Sequence, residues 1–350
     1  MIPVFDGHND LLYRLNAAPE ARQQIWDGTD AKGQLDLPRM KQGGFAGGFF
    51  AVYVPSPHDF DAPDLMAQMD APPYDFPLPE LIDHTTAQPV VLAQIGHLKW
   101  LERSGALTIC TTTAAIRATM AAGNIAAILH FEGAEAIDPG LDALHSFHAA
   151  GLRSLGPVWS RPTIFGHGVP FRFPSTPDTG PGLTEAGKRL VRECNALHIM
   201  LDLSHLNEAG FTDVAALSTA PLVATHSNAH AICPSSRNLT DRQLAMIRDS
   251  GGMVGLNFAT CFLRPDGRES ADMPLDPMLR HLDHLIGALG EDHVGFGSDF
   301  DGATMPKDIK DVTGLPILLD ALRAHGFTDA LLHKLARDNW LALLDRTWAA

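Results

Sequence analysis

The sequence predicts a single (β/α)8 barrel of TIM type, spanning 1–350, with a metal site at the C-terminal ends of its strands. Three observations predict it. Eight short apolar stretches are spread along 350 residues. Helical patterns lie between them. Five of the stretches end in His, Asp or Glu. Parallel strands closed into a barrel aim their tips at one face, so side chains distant in sequence meet there.

The stretches fall at 2–8, 46–54, 124–132, 152–159, 198–204, 221–226, 252–258 and 293–299. Most are continuous apolar runs, as expected of strands buried on both faces. The first runs Val4-Phe5-Asp6-Gly7-His8-Asn9-Asp10 and ends in His-x-Asp. The second leads into 55–123, a Pro- and Asp-rich loop at 55–80 followed by a long helix around 81–103. This is read as an excursion, not a separate domain. The third ends His130-Phe131-Glu132-Gly133, with Glu135 close behind. A Pro/Gly-rich stretch, 161–182, follows the fourth, and long loops at strand ends shape pockets.

A helix is predicted over 183–197, with Thr184 as its N-cap and Leu190, Val191 and Leu197 at helical spacing. The fifth stretch ends Leu203-Ser204-His205 and is followed by a helix at 207–217. The sixth ends Ala224-Thr225-His226 and precedes a helix at 241–247. After the seventh, a helix over 276–289 places Met278, Leu282, Leu285 and Leu289 at three- and four-residue steps. The eighth ends Gly297-Ser298-Asp299-Phe300-Asp301-Gly302, and a terminal helix spans 328–346. His281 with His284, and His145 with His148, read as solvated helix faces because no apolar strand leads to them.

With 45% hydrophobic residues and 19% charged, the chain can bury a substantial core. A net charge of -15 argues against a nucleic-acid partner, which demands a basic face. No apolar run approaches the roughly 20 residues of a membrane span. The first residues lead directly into a strand with no secretory pattern, and no hydrophobic tail suggests a lipid anchor. Cys110, Cys194, Cys233 and Cys261 form no C-x-x-C pair and read as free thiols. A cytoplasmic location is expected.

Residues i and i+2 of a strand face the same way, so His8 and Asp10 can grip one ion with Asn9 turned away. Glu132 can bridge two ions with its two oxygens. His205 and His226 complete a set of five. Imidazole and carboxylate ligands suit two Zn²⁺ ions, with Mn²⁺, Co²⁺ or Fe²⁺ as alternatives. Such a pair, about 3.5–4 Å apart, generates hydroxide at neutral pH and polarises a carbonyl. Asp299 is placed to carry a proton to a leaving amine, in preference to Asp301 because it is nearer the strand tip. Arg237 follows His226 in Ser235-Ser236-Arg237-Asn238 and can hold a carboxylate with two parallel hydrogen bonds.

These segments resemble the membrane (renal) dipeptidase family, within the amidohydrolase-type barrels. The matching motifs are DGHNDL at 6–11, FEGAEAID at 131–138, DLSH at 202–205, THSNAH at 225–230, SSRN at 235–238 and GFGSDFDG at 295–302. HLDHL at 281–285 and DNW at 338–340 also match, so the resemblance covers nearly the whole chain. It implies a homodimeric binuclear zinc dipeptidase. His8 and Asp10 would hold one ion, His205 and His226 the other, and Glu132 both. Arg237 would bind the C-terminal carboxylate of a dipeptide whose second residue can be D, and β-lactams are a further substrate of such enzymes. One position departs from the pattern. Well-known members of the family carry a histidine after the fourth strand that binds the substrate carbonyl, where this chain has Trp159. His167, in the next loop, is the candidate to replace it. That departure leaves an N-acyl amino acid or another small amide as the alternative substrate.

Overall fold

The computed structural model describes residues 2–56 and 67–348. Part of the loop at 55–80, with His58, lies outside the described residues. Eight parallel strands form the centre: β1 Val4–Asn9, β2 Phe45–Tyr53, β3 Ile125–Glu132, β4 Leu152–Gly156, β5 Met200–Leu201, β6 Val223–Ala224, β7 Met253–Leu256 and β8 Val294–Phe296. Each matches one of the eight apolar stretches. β1 to β5 pair in order as one curved sheet, and β6 to β8 as another. Two single parallel bridges close the circle, Asp202 to Val223 between β5 and β6, and Asn9 to Phe300 between β8 and β1.

β5 and β6 are shorter than their apolar stretches. The cause is Asp202, whose carboxylate accepts the backbone N–H groups of Ser204 and Thr225 at 3.0 and 2.9 Å. Those donors would otherwise extend the ladder. The excursion after β2 contributes the helix His84–Glu102 and a strand the sequence did not announce, Leu107–Ile109, which pairs parallel to the first residues of β3 on the side opposite β2. Its three residues are too few to show a period. A two-stranded clip, Tyr74–Asp75 against Arg172–Phe173, ties the excursion to the loop after β4.

The helices between strands begin at side-chain caps. Thr184, Asn207 and Thr240 each accept a backbone N–H three residues on. The predicted terminal helix at 328–346 is instead three pieces: Asp329–His333, a π-helical turn Lys334–Asp338, and Asn339–Trp348. The turn shifts register so that Asn339 donates to the carbonyls of Glu291 and Val294, and the Trp340 indole to that of Phe296. Trp340 thereby closes the floor of the barrel. A Cβ on Gly7 or Gly255 would run into its ring. His281 is fully buried rather than solvated. Its Nδ1 accepts the N–H of Ala229 at 3.0 Å and its Nε2 faces the carbonyl of Leu263 at 3.0 Å. His284 is partly exposed against Asp241.

Candidate metal centre and active site

The strand tips bring together the residues that the sequence singled out. His8 and Asp10 leave β1 on the same side, with His8 Nε2 3.3 Å from Asp10 Oδ2. Asn9 points away and donates to the carbonyl of Phe49. Glu132 ends β3, and its Oε1 lies 3.0 Å from His205 Nε2, 3.4 Å from His226 Nε2 and 3.7 Å from His8 Nε2. The His205 and His226 Nε2 atoms are 3.2 Å apart, and the His8 ring stacks on that of His226 at 3.8 Å. Asp299 Oδ1 is 3.9 Å from His8 Nε2. Both His205 and Asp299 adopt left-handed backbone, with φ of 67° and 64°. Such backbone is rare outside glycine and clusters where function over-determines it.

The surroundings fix the imidazoles. Thr225 gives its hydroxyl proton to Asp202 at 2.6 Å, so it accepts from His226 Nδ1 at 2.8 Å. The lone pair of His226 is therefore on Nε2, facing Glu132. Ser160 Oγ holds His205 Nδ1 at 2.8 Å. Burial, with Arg237 and His8 nearby, keeps both imidazoles well below their ordinary pKa and hence neutral. Burial opposes charge on His8 too, but Glu132, Asp10 and Asp299 hold it up to about 10. Burial also raises Glu132 well above the usual carboxylate range, and Asp299 to about 6.

This arrangement fits divalent metal. Ligand atoms of His8, Glu132 and His226 lie within 4.8 Å of one another, as do those of His8, Asp10 and Asp299. Neither ring nitrogen of His8 has a hydrogen-bond partner among the described residues, although the ring is fully buried. An orphaned imidazole facing crowded carboxylates is what a cation would satisfy. The Asp202–Thr225–His226 chain is the kind of outer support that orients a metal-binding histidine.

The competitors are occupied elsewhere. Glu135 pairs through Oε1 with buried Arg161, at 2.8 Å, and its Oε2 has no hydrogen-bond partner among the described residues. Asp301 pairs with Arg14 at 3.3 Å and accepts the N–H of Gln34. Asp299 keeps one oxygen on Asn257 Nδ2, at 2.8 Å, and the other toward His8. Arg237 is buried. It donates to Ser227 Oγ and the carbonyl of His226, both at 2.9 Å, while its Nε–H has no partner among the described residues.

Above the cluster opens a cavity of about 360 Å³. Trp159 lines it beside His205, ring centroids 5.7 Å apart, and packs edge-on to Tyr53 and Phe171. His167 is not among the lining residues. Its backbone carbonyl instead accepts the N–H of Asn207. Sequence reasoning passed over Ser160, Asp202, Asn257 and Arg161. Asp202 and Ser160 sit beside named residues in the chain, but nothing in a linear pattern says which oxygen faces which nitrogen.

The profile of the membrane dipeptidase family, peptidase family M19, matches residues 1–349. The chain belongs to that family. It is accordingly a metallopeptidase and a dipeptidase. A crystal structure of a Rhodobacter sphaeroides metallopeptidase, liganded with a phosphinate mimic of the dipeptide L-Ala-D-Ala, is 67% identical. It covers 99% of each chain with a TM-score of 0.98. A second solved structure, the dipeptidase AC of family M19, is also 67% identical, covers 100% of this chain and 99% of its own, and has a TM-score of 0.97. An uncharacterized Klebsiella pneumoniae protein of the pqqA 5' region is 49% identical, over 74% of this chain and 96% of its own. Among the described residues, no helix is long and apolar enough to cross a membrane.

Proposed function

We propose that this family member hydrolyses dipeptides, including those with a D-residue second, at a binuclear zinc centre held by His8, Asp10, Glu132, His205 and His226. The observation that carries the reading is the convergence of three imidazole Nε2 atoms on one Glu132 oxygen. The L-Ala-D-Ala mimic on the Rhodobacter relative supports the substrate class. Imidazoles and carboxylates are the donor set zinc takes, and a cation among Glu132, Asp10 and Asp299 would take the place of the proton they hold on His8; five protein ligands with a bridging carboxylate serve two ions. When bound, such ions acidify water and polarise a carbonyl.

The rest falls to the chain's own residues. Arg237 holds the C-terminal carboxylate with the N–H groups that its protein contacts leave free. Asp299, anchored by Asn257, takes one proton as water adds to the peptide carbonyl. It returns that proton to the amine as the C–N bond breaks. The indole of Trp159 forms the wall beside His205, supplying shape but no cation. We further read the protein as a cytoplasmic homodimer. Its four free buried cysteines accord with a reducing compartment.

Asp299→Asn preserves size and the Asn257 contact but cannot accept a proton. Turnover should fall about 10²- to 10⁴-fold with metal content per chain unchanged. Near-normal turnover would remove Asp299 from this role. The same preparation, offered L-L and L-D dipeptides beside N-acyl amino acids and a β-lactam, decides the substrate class. Hydrolysis confined to the acylated compounds would overturn the dipeptide reading.

A further inference from the structure

Two carboxylates lining the cavity are not used by this chemistry, Asp301, which pairs with Arg14, and Glu269. Glu269 lies between the short helix Thr260–Leu263 and the helix Asp276–Leu289. Its N–H donates to the carbonyl of Met69 at 3.1 Å, and its Oε1 accepts the N–H of Thr304 at 3.3 Å. Its Oε2 is buried and has no hydrogen-bond partner among the described residues. Yet Glu269 lines the cavity. A carboxylate oxygen withdrawn from water without a partner is costly, and unlike Glu135, whose other oxygen is held by buried Arg161, Glu269 meets no cation among the described residues. The missing partner is a donor that arrives from the cavity.

Its position along the wall says which part of the substrate supplies that donor. The Cys261 thiol lines the same cavity, and burial and the neighbouring Glu269 carboxylate keep it protonated. Phe262 is the next residue, and the Arg237 guanidinium stands 5.7 Å over its ring. Phe262, Cys261 and Glu269 line one wall of the cavity, and Arg237 stands against the Phe262 end of it. Phe262 stacks on Phe171 at 6.1 Å, and Met69 lines the same cavity, so the path to Glu269 is apolar. A residue whose carboxylate is held by Arg237 lays its side chain along that wall.

We propose that Glu269 selects the second residue of the dipeptide, favouring a side chain with an aliphatic stem and a cationic end, as in lysine, ornithine or arginine. This rests on the dipeptidase reading above. The stem covers Phe262 and Met69 while the ammonium or guanidinium reaches Oε2.

The test compares kcat/KM for L-Ala-D-Lys and L-Ala-L-Lys with their norleucine counterparts, which replace the ammonium by a methyl group. The zinc-loaded wild-type protein should favour the lysine compound of the accepted stereochemistry by roughly 10- to 150-fold, the worth of a hydrogen bond to a charged group. Glu269→Gln and Glu269→Ala should both bring that ratio close to one. Equal or better use of norleucine by the wild type would overturn the proposal, and that comparison needs no variant. So would a lysine preference that survives in a variant. Hydrolysis of L-Ala-D-Ala without a lysine preference sinks this inference alone, whereas no hydrolysis of any dipeptide sinks the dipeptidase reading with it.

Discussion

Thr225 shows how much depends on one hydroxyl. By donating to Asp202 it must accept from His226, and so it leaves a lone pair on Nε2. Thr225→Val keeps the shape and removes the relay. Zinc affinity should fall about 10- to 100-fold, read by competition with a chromophoric chelator. His281 acts through stability instead. Burial lowers its pKa to about 4, against 6.5 for an exposed histidine. The unfolded chain thus binds a proton that the folded chain refuses between those values. His281's contribution is complete above pH 6.5 and is lost as pH falls toward 4. From pH 7 to pH 5 the loss is about 2 kcal/mol. Urea unfolding of the wild type should show this drop, and His281→Gln a shallower one. At this scale the sequence displayed the five ligand candidates and Asp299, because each terminates an apolar run. It misplaced His281, since a periodicity cannot tell a solvated face from one covered by a loop such as that at Ala229. Glu269 left no linear trace at all, lying in a loop with the exposed charged residues Asp266, Arg268 and Asp272.

Among the elements, the apolar runs revealed all eight strands because strands buried on both faces need no alternation. Their lengths were less visible. Asp202 takes N–H groups from β5 and β6 that a longer ladder would use, and a side-chain bond of that kind has no periodicity. The terminal helix was legible as helix but not as three pieces. Its π-helical turn is set by Asn339 and Trp340 meeting carbonyls at the ends of β8. Trp340 is fully buried, and its ring fills the space left by Gly7 and Gly255. Trp340→Ala should therefore cost about 3–5 kcal/mol in denaturant unfolding, the range for a large aromatic removed from a packed core.

At the scale of the whole molecule, the barrel is two curved sheets joined at two seams, each closed by a single bridge. The candidate ligands straddle both seams. His205 and His226 face each other across the one between β5 and β6, and His8 and Asp299 across the one between β8 and β1. Ions held there would fasten the two halves. Zinc at a hundred times its dissociation constant should stabilise the fold by about 2.7 kcal/mol, seen as a raised melting temperature that a chelator reverses. Hydrogen exchange should quicken after chelation at 200–206, 223–227, 7–10 and 297–301 before it does in β2 and β3. Equal quickening throughout would deny the seams this role.

Loading would then also act as a maturation check inside a cell. A newly made chain short of zinc would present two loosely latched leaves to the proteases that patrol for unfinished folds, and one that had filled its centre would not. The abundance of this protein should follow the zinc supply even where its messenger level does not.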